Sequence, residues 1–165
     1  MADYTLPLPQ PTILHQPMWD AFKQHKLVVQ RCRACDMMFI FAREHCPRCW
    51  ATDLEWYEVS GRGRLYTYTT VRQPAHPAFN ELVPYVYAIV QLDEGPRLPS
   101  NLVNVPLDHV HVDMPLRVVW DDVTPEFTLP KFEPDPDGMA RRLPHQTGAA
   151  RIHASGVPAH TPAPA

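Results

Sequence analysis

Hydrophobic positions repeat with a helical period once, near the N-terminus, and with a strand period through most of the remaining chain. From Pro17 to His25, Met18, Trp19 and Phe22 fall at helical spacing, and Pro17 suits a first-turn position. This predicts a short amphipathic helix whose apolar face needs a cover. Either it packs on its own domain, or Trp19 and Phe22 dock it on another subunit.

Leu27–Arg31 and Phe39–Phe41 read as short strands of a cysteine-bearing segment that closes near Leu54. EWYEVS then leads into GRG, whose glycines Gly61 and Gly63 bracket a sharp bend or bulge. LYTYTTV alternates aromatic, Thr and Val residues as a half-buried strand does. PYVYAIVQL is a second strong strand, ended by the turn residues Asp93, Glu94, Gly95 and Pro96; three more are predicted near Leu98–Val105, Leu116–Trp120 and Phe127–Phe132. Five short strands after a ribbon indicate a small closed barrel of the oligonucleotide/oligosaccharide-binding (OB) type. The expected class is mainly β. An N-terminal segment with the short helix spans 1–26, a rubredoxin-like ribbon 27–54, an OB-fold barrel 55–133, and an extended Pro/Ala-rich tail 134–165. After Leu143 that tail has almost no large aliphatic residue besides Ile152 and Val157, too little burial to offset the entropy of ordering.

A hydrophobic fraction of 45% and a charged fraction of 20% in 165 residues are those of a folded globular protein. No apolar run reaches the roughly 20 residues a membrane helix needs, and the N-terminus lacks a basic segment before an apolar one. A cytoplasmic protein away from membranes is expected. Charge is unevenly divided. Residues 1–74 carry nine Lys/Arg against seven Asp/Glu, residues 75–140 three against eleven, and the rest three arginines and no acid. The acidic stretch, which includes most of the predicted barrel, would be repelled by a phosphate backbone, so nucleic acid is not the expected partner.

All 4 cysteines lie in one C-x2-C-x10-C-x2-C pattern, Cys32, Cys35, Cys46 and Cys49. Each C-x-x-C turn aims two thiolates at one point, and the strand between the turns brings the pairs together as a tetrahedron. Four thiolates fill the shell of a zinc ion, leaving no position for substrate or activated water, so the metal is structural. Iron suits the same ligands, as would a rubredoxin-like electron carrier. Knuckles of this kind favour glycine after the second cysteine. Here Asp36 and Trp50 stand there, and because Asp tolerates a left-handed backbone better than Trp, the second knuckle is expected to be less regular.

No catalytic set is visible. A cysteine nucleophile needs a thiol the metal has not taken, and none of the few serines sits in a nucleophile elbow. His109 and His111, beside Asp108 and Asp113, form either an acid/base or metal cluster or a solvated loop; His76 lies in the Pro-rich turn QPAHPAFN. The positive feature is the series Arg31, Arg33, Arg43, Arg48, Arg62, Arg64 and Arg72. With Tyr66, Tyr68 and Trp56 nearby, these guanidinium forks suit an anion and adenine site or a single-stranded nucleic-acid surface. They equally suit a charged face laced with Asp53, Glu55 and Glu58.

These segments resemble a family of acyl-CoA-associated proteins with a zinc ribbon and an OB-type barrel, known as domain of unknown function thirty-five. The resemblance is carried by PMWDAFKQHKLVVQRCRAC, CPRCWATDLEWYEVSGRGRLYTYTTV, PYVYAIVQLDEGPRLPSNLVN, and MPLRVVW with LPKFEP, over residues 17–134. It implies a non-catalytic accessory subunit in a hetero-oligomer with a thiolase-fold enzyme. The partner would supply thiolase or aldolase chemistry, while this chain stabilises it and helps hold or pass an acyl-CoA thioester. A structural zinc ion and a shared CoA thioester are the implied ligands. Arg62 and Arg64 foremost, with Arg72, are the candidate CoA phosphate contacts. The alternative class is a single-stranded nucleic-acid-binding module. The chain departs from the family pattern at Phe41-Ala42, where a proline pair is usual, and at Asp113, where glycine is usual.

Overall fold

The computed structural model describes residues 4–74 and 76–138. It is mainly β, with one short helix, a cysteine ribbon and a closed five-stranded barrel, the class the sequence predicts.

Helix α1 (Gln16–Lys23) has Pro at its first turn and buries Met18 and Phe22. Strands β1 (Val28–Cys32), β2 (Met38–Phe39) and β3 (Leu54–Glu58) form the ribbon sheet in the order β2-β1-β3. The sequence pattern assigns residues 55–58 to the barrel. Instead they pair antiparallel with β1, from Val28 opposite Glu58 to Cys32 opposite Leu54. Local alternation identifies a strand, but the partner that claims its hydrogen bonds is set by tertiary context.

The barrel comprises β4 (Arg62–Val71), β5 (Tyr85–Leu92), β6 (Arg97–Leu102), β7 (Pro115–Asp122) and β8 (Thr128–Pro134). Their order is β4-β5-β6-β8-β7, with β7 returning to β4, and only β6 and β8 pair in parallel. Period-two alternation builds its interior. On β5, Val86, Ala88, Val90 and Leu92 point inward while Tyr87 faces solvent. They meet Leu65, Leu116 and Phe132, all fully buried.

The bend predicted around GRG is centred on Gly61, with φ of +71°. The bulge in β4 lies further on, between Leu65 and Thr67. Gly63 serves another need: a Cβ there would sit 2.3 Å from the Gln91 carbonyl oxygen, so β5 approaches β4 where only glycine allows it.

The two modules share one hydrophobic core that runs from Phe22, Val28 and Val29 to the barrel residues. Trp19 meets Phe22 and Phe127 edge-on at 5.5 and 5.6 Å between ring centroids, and Phe22 meets Trp120 at 5.7 Å. The apolar face of α1 is therefore covered by its own barrel. Phe22, 3% exposed, is a core residue and offers no surface to a partner. Of the tail expected from 134, Pro134 closes β8, and the Asp135 N–H donates to the Pro115 carbonyl at 2.9 Å. Residues 139–165 lie outside the described residues.

Candidate functional site

The cysteine site is built by two matching turns. The Asp36 N–H donates to the Cys32 carbonyl at 2.8 Å, and the Cys32 N–H to the Met37 carbonyl at 2.9 Å. In the second turn, Trp50 donates to Cys46 and Cys46 to Ala51, both at 2.9 Å. Asp36 and Trp50 have φ of 56° and 62°. The second knuckle is thus as regular as the first. A left-handed Trp is costly but allowed, since the hydrogen bonds on either side fix the turn.

The four sulfurs lie within 4.8 Å of one another, and Cys32–Cys49 and Cys35–Cys46 are each 3.6 Å apart. A tetrahedral ion with Zn–S bonds of about 2.3 Å puts its sulfurs about 3.8 Å apart, so the donors fit zinc. Without a cation they titrate unequally. Burial pushes the Cys46 thiol up, but the N–H groups of Cys49 and Arg48, together with the Cys35 and Cys49 side chains, outweigh it and lower it to about 6. At Cys35 the Met37 N–H pulls down, and burial plus the neighbouring sulfurs push it up to about 12. A divalent ion removes this conflict by holding all four as thiolates. With the shell closed it supplies structure, not a reactive position.

The structure divides the arginines. Arg31 donates to Asp36 at 2.7 Å, and Arg33 to Glu55 at 2.8 Å, so both belong to a charged face paired with acids. Arg62 and Arg64 line a cleft of about 20 Å³ with Asp93 and Asp135. That is room for a water, not a phosphate. Burial, with Glu94 beside it, raises the Asp93 carboxyl against the pull of Arg64 and Arg62. Arg64 also donates to the Asp113 carbonyl at 3.0 Å. Arg72 follows the far end of the same strand, roughly 30 Å along it at about 3.3 Å per residue. The three arginines do not converge.

A different pair does. A groove of about 240 Å³ lies between the ribbon and the β5–β6 turn, with Met38, Phe41, Pro47 and Pro96 on its walls and Arg43 and Arg97 among its lining. Arg97 lies 3.6 Å over the Tyr66 ring and donates its Nε to Gln91 at 2.8 Å. Arg97 escaped sequence reasoning because it is isolated in an acidic stretch; the cross-strand pairing of Arg97 with Gln91 was its one local signal.

The histidines are explained locally. His76 accepts from the Ala78 N–H at 3.1 Å and caps the turn Pro77–Leu82. His111 Nδ1 lies 3.0 Å from the His109 carbonyl, and among the described residues the cysteines are the one His/Cys/Asp/Glu group placed to hold a metal. Among the described residues no helix is long and apolar enough to cross a membrane.

A four-cysteine ribbon sharing its core with a five-stranded OB barrel defines a zinc-ribbon/OB-fold protein. Residues 19–55 match the family model for the ChsH2 rubredoxin-like zinc ribbon domain, and residues 56–121 that for the ChsH2 C-terminal OB-fold domain. A DUF35 domain-containing scaffold protein of Methanocaldococcus jannaschii is 34% identical over 62% of this chain and 73% of its own. The chain belongs to the DUF35 family. A probable enoyl-CoA hydratase alpha subunit of Thermomonospora curvata is 41% identical over 70% of this chain, but the match spans only 36% of that relative's length. The solved structure of an Ltp2-ChsH2(DUF35) aldolase contains a chain that superposes with a TM-score of 0.70 at 38% identity, over 77% of this chain and 98% of that one.

Proposed function

We propose that this chain is a non-catalytic accessory subunit of a thiolase-like acyl-CoA complex. It binds a thiolase-fold catalytic subunit as a hetero-oligomer, stabilises it, and helps hold the CoA thioester during carbon–carbon bond cleavage or formation. One observation carries the reading: all 4 cysteines converge on one metal-type site, so no thiol is left to act as an acyl-transfer nucleophile. The aldolase in which a chain of this fold stands with Ltp2 supports it, as does the family resemblance of the sequence. Keeping four thiolates reduced suits the cytoplasm. A nucleic-acid role is disfavoured because Arg31 and Arg33 are already paired with acids.

Reconstitution tests the reading. A thiolase-fold protein of the same organism is assayed alone, together with this chain, and against this chain alone, at equal concentrations. Activity is expected only from the pair. Full activity from the partner alone, or turnover by this chain alone, would refute the accessory role.

A further inference from the structure

We propose that the groove between ribbon and barrel binds the pantetheine-phosphate arm of coenzyme A, with Arg43 and Arg97 as its phosphate ligands. This rests on the CoA reading above and replaces Arg62, Arg64 and Arg72 as the contact set.

The argument begins with charge. The described barrel is acidic, yet the groove lining holds two guanidinium groups and no carboxylate. Arg43 makes no ion pair among the described residues, and Arg97 spends its Nε on neutral Gln91, leaving its two terminal nitrogens for a ligand. Stacking on Tyr66 holds the Arg97 plane in place, which reduces the entropy lost when it binds an anion. The cleft beside Arg62 and Arg64 has the opposite character, because Asp93 and Asp135 share it and would repel a phosphate.

Shape and polarity set the rest. Met38, Phe41, Pro47 and Pro96 offer an apolar wall beside the two cations, which suits an uncharged extended arm ending in a multiply charged anion. A diphosphate presents enough oxygens for two forks; a single carboxylate fills one. At about 240 Å³ the groove falls below the roughly 300–1,000 Å³ of sites that enclose a whole ligand. It takes an arm and leaves the thioester end free to reach a second protein.

The test uses the zinc-loaded full chain, nitrogen-labelled and titrated with coenzyme A, pantetheine, adenosine bisphosphate and a short peptide with a free carboxylate. Coenzyme A is expected to shift the amides of Phe41, Arg43, Gly95 and Arg97 saturably, more weakly at high salt. Arg43→Glu and Arg97→Glu should each weaken it about tenfold or more, and pantetheine should bind about tenfold more weakly than coenzyme A. Both arginines are exposed, and unchanged zinc content and spectral dispersion will show that the variants fold. No saturable shift at millimolar coenzyme A, shifts around Arg62 and Arg64 instead, unchanged affinity in both variants, or tighter binding of the peptide would each overturn the proposal. The two readings fail separately: reconstitution decides the accessory role, and this titration decides the groove.

Discussion

His25 lies flat against Trp120, 5.5 Å between ring centroids and 6° between planes, while its Nε2 reaches the Asp122 carboxylate at 2.9 Å. This contact fixes the chain leaving α1 to strand β7, so the helix, the adjoining ribbon strand and the barrel form one packed unit. The stack covers the same Trp120 that Phe22 touches from the core side.

Helix docking is thus expected to be a stability element. Phe22→Ala should cost about 3–5 kcal/mol, as deletion of a buried aromatic does, and denaturant unfolding will measure it. A loss below about 1 kcal/mol would show that the helix packs elsewhere. The Asp122 carboxyl is held below the usual carboxylate range by the Thr128 hydroxyl first and by His25 next. A depressed folded value stabilises above the unfolded value of about 3.9 and loses that contribution as pH falls through the folded one. Wild type and Asp122→Asn should therefore differ at neutral pH, begin to converge as pH falls below about 4, and coincide only below the depressed folded value.

Asp36 and Trp50 stand where knuckles of this kind favour glycine and Asp113 where the family pattern does, and all three keep the left-handed backbone, with φ of 56°, 62° and 66°. Bulky Trp50 carries the greatest steric cost there, about 1–2 kcal/mol, and at 76% exposed it recovers little by burial. Trp50→Gly relieves that cost but adds about 0.4–1 kcal/mol of unfolded-state entropy. The net change in thermal stability, measured in excess zinc, should lie between neutral and about 1.5 kcal/mol stabilising, whereas Trp50→Val should destabilise. Marked destabilisation by Trp50→Gly would mean that the indole packs against something.

These positions also show how far the sequence could be read. The cysteine spacing and the alternation of PYVYAIVQL are local signals tied directly to one geometry, and both elements stand where those signals place them. The α1 face was legible as apolar, but what covers it, Phe127 and Trp120 about a hundred residues away, depends on how the barrel closes. The same holds for arginines. Arg62 and Arg64 look like an anion site in a string of letters, and only the fold brings Asp93 and Asp135 beside them and Arg43 near Arg97.

Metal removal should disable more than the ribbon. Cys32 ends β1, which pairs with β3 and shares its core with the barrel through Val28 and Val29, so the knuckles anchor strands that the barrel packs on. One zinc per chain is expected by metal analysis, and structural sites of this kind contribute about 10 kcal/mol or more of apparent binding energy at neutral pH. Chelation, or Cys32→Ser with Cys46→Ser, should therefore lower the melting temperature and collapse the dispersed signals of Trp56 on β3 along with those of the knuckles. Protons compete with the metal, so affinity must fall as pH falls. The number released at pH 7 is itself informative. With no metal to hold it the ribbon opens, and its thiols return toward the ordinary value of about 8.5, so all four carry protons at pH 7. Zinc binding at pH 7 should then release close to four protons, a count that calorimetry in two buffers of different ionisation enthalpy gives directly. Release of clearly fewer would show that the sulfurs stay gathered before the metal arrives, as in the closed site where Cys46 is lowered to about 6, and a stable, fully dispersed protein after chelation would show that the ribbon does not depend on it.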